Sequence, residues 1–147
     1  MLGIFSASIA AFSQQYSTLY LDSLSTDAFF NAVKVAAPKA GNAKHNKGIL
    51  GKIPADRITK QDVAALMPYI RSIKKTGCIV AVYCSYMPSY SEYSTLGGIA
   101  MDLIDTYRKK EDYPKEQWSC TKTDRNRADE IEQWWKSVNG TSGHPRR

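Results

Sequence analysis

Apolar residues recur every three or four positions through most of this chain, which is the period of an α-helix rather than of a strand. The clearest amphipathic face consists of Leu96, Ile99, Ala100, Leu103, Ile104 and Tyr107. Similar patterns begin near Ser25 or Thr26, at Thr59, and near Thr123 or Asp124. Strands that alternate with helices are not evident, so we expect an all-α fold. The prediction is a single compact bundle of about four to six helices with two long loops.

The segment around CIVAVYC is open to two interpretations. Small and apolar residues recur here every three or four positions, which favours a helix. They are Ile70, Ile73, Gly77, Val80 and Cys84. Its β-branched content would also suit a short buried strand. Further on, the Gly97-Gly98 pair at the start of the amphipathic helix indicates close helix packing rather than phosphate binding.

The chain has 147 residues, of which 43% are apolar, so it can bury one core. We expect residues 16–140 to form a single helical domain and residues 141–147 a flexible tail. Leu2 to Phe12 reads LGIFSASIAAF, and residues 1–15 are either the remnant of a signal peptide or the first apolar helix. No apolar run is long enough to predict a membrane span.

Groups that would carry catalysis are scarce. Three cysteines and two histidines do not have the spacing of a zinc site, and no nucleotide-binding or hydrolase motif occurs. Asp102 and Asp105 are three residues apart and could form a carboxylate pair, although solvation of their helix is the simpler role. We therefore expect a protein that is not an enzyme and that has no metal and no cofactor.

The three cysteines are Cys78, Cys84 and Cys120. They could form one disulfide and leave one thiol, or they could be three buried thiols. The residues alone do not decide between these states.

Tyrosine is concentrated in one part of the chain. Seven of the nine tyrosines lie between Tyr69 and Tyr113. Tyrosine is enriched in protein–protein hot spots because it offers a large, rigid contact area. The predicted partner-binding residues are Tyr86, Met87, Tyr90, Glu92 and Tyr93. The alternative is that these tyrosines fold back and cap the core.

The net charge of +6 is carried by residues 39–75, which contain nine basic residues and two acidic ones. This stretch is either a solvated loop or a basic patch. The candidate patch residues are Lys44, Lys47, Lys52, Arg57 and Lys60. The alternative function is therefore a small basic protein that binds nucleic acid or an acidic surface through residues 39–75.

Four segments between residues 69 and 138 resemble periplasmic immunity proteins that neutralise type VI secretion amidase effectors. They read KKTGCIVAVYCS, a tyrosine-bearing connection, LGGIAMDLIDTYRKKEDYP and WSCTKTDRNRADEIEQWW. The resemblance implies a small all-helical domain, a Cys78–Cys120 disulfide, and a loop at Tyr86–Tyr93 that enters and blocks the amidase cleft. It also implies a cognate amidase-like effector as partner and a periplasmic location, with a cytoplasmic one as the alternative. Homodimerisation is left open.

Overall fold

The computed structural model describes residues 17–18, 25–35, 49–81 and 93–140 of the chain. Within these ranges the fold is mixed α/β, with four α-helices and two small sheets. The helices are α1 (Thr26–Val35), α2 (Lys60–Leu66), α3 (Leu96–Lys109) and α4 (Arg125–Gly140). A single 3-10 turn, Met67–Tyr69, follows α2 and contains Pro68.

Local signals in the sequence explain where the helices begin and end. Thr59 and Asp62 form a reciprocal capping box at the start of α2, because each side chain accepts a hydrogen bond from the backbone of the other. Thr95 caps α3 by accepting a hydrogen bond from Gly98 N at 3.1 Å. Lys110 ends α3 in the left-handed conformation, with a φ of 57°.

The described residues also form six two-residue strands. They are β1 (Ser17–Thr18), β2 (Ile49–Leu50), β3 (Lys75–Thr76), β4 (Ile79–Val80), β5 (Ser94–Thr95) and β6 (Trp118–Ser119). One sheet has the order β1-β2-β4-β6, in which β1, β2 and β4 are parallel and β6 is antiparallel to β4. The second sheet is the antiparallel pair β3-β5, with Lys75 opposite Thr95.

The predicted all-α class is therefore wrong. Residues 75–80 form β3 and β4 instead of a helix. Ile79 and Val80 are both buried, and their strand lies in the interior of the sheet, between β2 and β6. A buried strand is apolar on both faces, so a short one cannot be distinguished from a buried helix by apolar spacing alone.

One apolar core joins the helices to the sheet. Its fully buried side chains include Phe29, Val33, Val63, Ile70, Ile79, Ile99, Leu103, Ile104 and Ile131. Helix α3 contributes most of its length to this core, since ten of its fourteen residues are buried. The Gly97-Gly98 pair meets the backbone of neighbouring segments directly, which agrees with the close packing expected for it.

Residues 1–15, interpreted as a signal-peptide remnant or a first helix, lie outside the described residues. So do residues 141–147, predicted to be a tail. In the part of the chain that the structure describes, no helix combines the length and apolarity needed to cross a membrane.

Candidate functional site

The tyrosine-rich segment 82–92 lies outside the described residues, but the residues on both sides of it are described. Ala81 N donates to Gln117 O at 2.8 Å, and Thr95 N donates to Thr121 O at 3.0 Å. Both ends of the segment are therefore attached to the same short stretch, 117–121, which contains β6.

A disulfide reinforces this attachment to residues 117–121. Cys78 and Cys120 are bonded, and their Cα atoms are 4.6 Å apart. The pair implied by the resemblance is thus present in the structure. The bond lies beside the antiparallel register of Ile79 with Ser119, so it cross-links the two strands that hold the beginning of segment 82–92. Cys84 lies outside the described residues.

Tyr93 is the one predicted partner-binding residue whose surroundings are described; Tyr86, Met87, Tyr90 and Glu92 lie outside the described part. The Tyr93 ring is half-buried between two ammonium groups. Lys75 Nζ is 4.5 Å and Lys122 Nζ 4.7 Å from the ring centroid. Each contact is a cation–π interaction, typically worth about 0.5–1 kcal/mol at an exposed site. Tyr93 therefore holds two positive charges together at the carboxyl end of the segment.

Ile73 is the most exposed large apolar side chain in the described ranges, at 81%. The spacing of residues 70–84 placed Ile73 in a predicted helix, and this prediction is wrong. Residues 70–74 connect the 3-10 turn to β3 instead of continuing a helix, and the side chain of Ile73 points into solvent.

The backbone around Ile73 is held firmly. Ser72 O accepts hydrogen bonds from Gly97 N at 2.9 Å and from Thr123 Oγ1 at 2.6 Å. Lys74 O accepts from Leu96 N at 2.8 Å. Since Leu96 and Gly97 belong to α3 and Thr123 lies two residues before α4, the backbone beside Ile73 is attached to both helices.

Arg71 adds a further attachment, because its guanidinium binds Asp129 and Glu132 of α4. The distance from Arg71 Nε to Glu132 Oε1 is 2.9 Å. The hydrogen bond from Arg71 lowers the pKa of the Glu132 carboxyl below its ordinary value. This pairing occupies the carboxylates of Asp129 and Glu132.

Three residues of the candidate basic patch, Lys52, Arg57 and Lys60, lie in the described part of the chain. Lys52 Nζ forms an ion pair with Asp112 Oδ2 at 2.9 Å. Lys60 is the first residue of α2, and its Nζ lies 5.9 Å from the centroid of the Trp135 ring of α4. Arg57 is exposed, and Lys44 and Lys47 lie outside the described residues.

Asp102 and Asp105 do not solvate their helix. Their side chains are only 12% and 11% exposed, and the guanidinium of Arg127 bridges them, with 2.8 Å to each carboxylate. Thr121 Oγ1 donates to Asp102 at 2.6 Å. Burial lowers the Arg127 pKa, but Asp102 and Asp105 outweigh burial and raise it above its ordinary value.

The cluster of Asp102, Asp105, Thr121 and Arg127 joins α3, the β6 region and α4. Its arrangement was not predicted, because nothing in the sequence pairs Arg127 with a residue 25 positions earlier.

Across residues 25–35, 49–81 and 93–140, no group of histidine, cysteine, aspartate and glutamate side chains is arranged to hold a metal ion. A scan against protein-family models, a search of the curated proteins and a search of the solved structures each find no match to this chain.

Proposed function

We propose that this chain is a protein-binding inhibitor that uses segment 82–92 and Tyr93 as its principal contact. The observation that carries the proposal is that residues 117–121 hold the chain on both sides of the segment, and that Cys120 within this stretch is bonded to Cys78. A contact segment that is fixed at both ends loses less conformational entropy on binding. Its tyrosines and Met87 supply the residue types that dominate hot spots.

The specific form of the proposal is an immunity protein that blocks a cell-wall amidase effector. Two arguments support it. The quoted segments resemble such proteins, and a disulfide fits an oxidising compartment such as the periplasm. In this role the chain acts outside the cytoplasm, and the amidase is its cognate partner.

The test measures amide-bond hydrolysis in isolated sacculi by individual amidase effectors of the host strain's type VI secretion system. The wild-type protein should inhibit one of them at equimolar concentration. Tyr90→Ala should weaken that inhibition at least thirty-fold, which corresponds to a hot-spot loss of about 2 kcal/mol. The thermal midpoint of the free protein should stay unchanged.

Tyr107→Ala is the matched control, because Tyr107 is a half-buried tyrosine of α3 that packs on Trp134 of α4, with ring centroids 6.3 Å apart. It should lower stability and leave inhibition intact. The proposal fails if no amidase is inhibited, or if Tyr90→Ala inhibits as well as wild type. The nucleic-acid alternative predicts the reverse, since replacing Lys44, Lys47 and Lys52 by glutamine would then abolish a salt-dependent mobility shift.

A further inference from the structure

An exposed apolar side chain and three lysines occupy one region beside segment 82–92. We call it the Ile73 surface, and it consists of Ile73, Lys74, Lys75, Tyr93 and Lys122. Ile73 and Lys75 are two residues apart, so their Cα atoms are separated by at most about 7 Å. Lys75 and Lys122 are joined through the Tyr93 ring. The surface therefore begins where segment 82–92 ends.

The charges of this surface are uncompensated by the residues that the structure describes. Within those residues Lys74, Lys75 and Lys122 form no ion pair, although the neighbouring Arg71 is bound by two carboxylates. The carboxylate of Asp124, two residues after Lys122, instead accepts a hydrogen bond from Arg127 N at 2.7 Å and caps α4. Three lysines that make no ion pair with described residues thus lie to one side of an apolar side chain that is 81% exposed on a fixed backbone.

We infer that the partner is a protein whose contact site is an apolar pocket for Ile73 with carboxylates at its rim, facing Lys74, Lys75 and Lys122. This inference rests on the proposed function and extends its contact surface beyond segment 82–92. Charge complementarity selects the acidic rim. A phosphate backbone would also attract the lysines, but it offers nothing to an exposed isoleucine, since phosphate contacts are polar and electrostatic. A central apolar anchor with a charged rim is the usual anatomy of a protein interface.

The first experiment examines the surface without any amidase. The probe is the peptide acetyl-Glu-Glu-Leu-Glu-Glu-amide, which is titrated into the isotopically labelled protein while amide resonances are recorded. Shifts should concentrate at residues 73–75, 93 and 122, and they should diminish as salt is raised. The Lys75→Gln/Lys122→Gln variant should lose them. Absence of shifts at these residues, or a larger response there to a short oligothymidylate, overturns the inference.

The second experiment uses the amidase that the wild-type protein inhibits. Ile73→Asp should weaken inhibition at least thirty-fold, as expected for an anchor residue. Lys75→Glu/Lys122→Glu should slow association and reduce its dependence on salt. All three positions tolerate these changes structurally, because Ile73, Lys75 and Lys122 are exposed.

The matched controls are Val138→Asp and Lys136→Glu, which make the same chemical changes at exposed positions near the end of α4. Position 136 lies about 17 Å along the helix axis from residue 125, where α4 begins. If Ile73→Asp inhibits as well as these controls do, the Ile73 surface is not the contact, even though the inhibitor function stands. If the peptide binds as expected and no amidase is inhibited, the surface stands and the proposed function fails.

Discussion

At the scale of single residues, Gly97 and Gly98 show how little space separates α3 from its neighbours. A Cβ on Gly97 would lie 2.7 Å from Ile70 O and from Ser72 O, and one on Gly98 would lie 2.6 Å from the carbonyl carbon of Thr121. These neighbours are backbone atoms, which cannot rotate away as a side chain can. The glycines therefore allow α3 to contact both the backbone of residues 70–72 and the 117–121 stretch.

Gly98→Ala should lower the free energy of unfolding by about 1–3 kcal/mol or more, because the methyl group forces the backbone at Thr121 to move. Urea denaturation measures this change. Gly140→Ala is the matched control: no atom lies within 4 Å of the added Cβ, so the change should be neutral or stabilising by up to about 1 kcal/mol. Equal stability of the two variants would contradict the packing described for α3.

Tyr113 carries a buried hydroxyl that lies beside Asp102 and Ser119 but makes no hydrogen bond of good geometry with the described residues. Its backbone pairs with Ile53, with Tyr113 N donating to Ile53 O at 2.9 Å. Burial, and then the negative charge of Asp102, raises the pKa of Tyr113 well above its ordinary value of 10.0. Because the unfolded chain ionises this group at a lower pH than the folded one, its titration leaves the free energy of unfolding unchanged below about pH 10 and lowers it as the pH rises further.

Tyr113→Phe should raise the free energy of unfolding at neutral pH by about 1 kcal/mol, since it removes a buried polar group without a partner. It should also reduce the loss of stability above pH 10. Tyr69→Phe is the control: Lys34 Nζ donates to its hydroxyl at 2.8 Å, so that variant should instead lose about 1 kcal/mol. Chemical denaturation across pH measures both, and a destabilised Tyr113→Phe would show that the hydroxyl has a partner.

At the scale of elements, α3 is the helix on which the core depends most. Leu103 is fully buried on it. Leu103→Ala should lower the free energy of unfolding by about 2–5 kcal/mol, the usual range when a buried leucine is truncated. Leu103→Met conserves volume and should cost less than about 1.5 kcal/mol. A loss below about half a kilocalorie for Leu103→Ala, read from urea denaturation, would mean that this face is not in the core.

The helices were predictable because each has local determinants. The capping box at Thr59 and Asp62 marks the beginning of α2, and the unbroken face from Leu96 to Tyr107 marks α3. The strands were not predictable, because two-residue strands have no period to detect. Their existence depends on pairing between distant segments, such as Ile79 with Ser119, and a single sequence does not reveal that pairing.

The candidate site could be predicted only in part for the same reason. The concentration of tyrosines between residues 86 and 93 is visible in the sequence. The meeting of Lys75, Tyr93 and Lys122 is not, since it arises from the pairing of β3 with β5 and from the hydrogen bond between Thr95 and Thr121. The exposure of Ile73 likewise follows from the end of the helix after Tyr69.

At the scale of the whole molecule, the Cys78–Cys120 bond closes a long loop, since its cysteines are 42 positions apart. In the chain-entropy model a bridge of this span stabilises the folded state by about 4 kcal/mol. Replacing both cysteines by serine should lower the free energy of unfolding by roughly that amount in urea denaturation. Cys84→Ser is the control and should keep the bridge. Thiol titration of the unreduced, unfolded wild-type protein should find one thiol, and a count of three would contradict the bridge.

A chain that folds while it emerges amino end first exposes its thiols to oxidants in sequence order. Cys84 comes six positions after Cys78, whereas the native partner Cys120 comes 42 positions after it. Closing the shorter loop loses roughly 1–2 kcal/mol less chain entropy, so in an oxidising compartment we expect a Cys78–Cys84 bond to form before the native one. The native bond then forms by exchange, when the Cys120 thiolate attacks Cys78 and releases Cys84. We therefore expect a chain that lacks Cys84 to reach its native bond in one step.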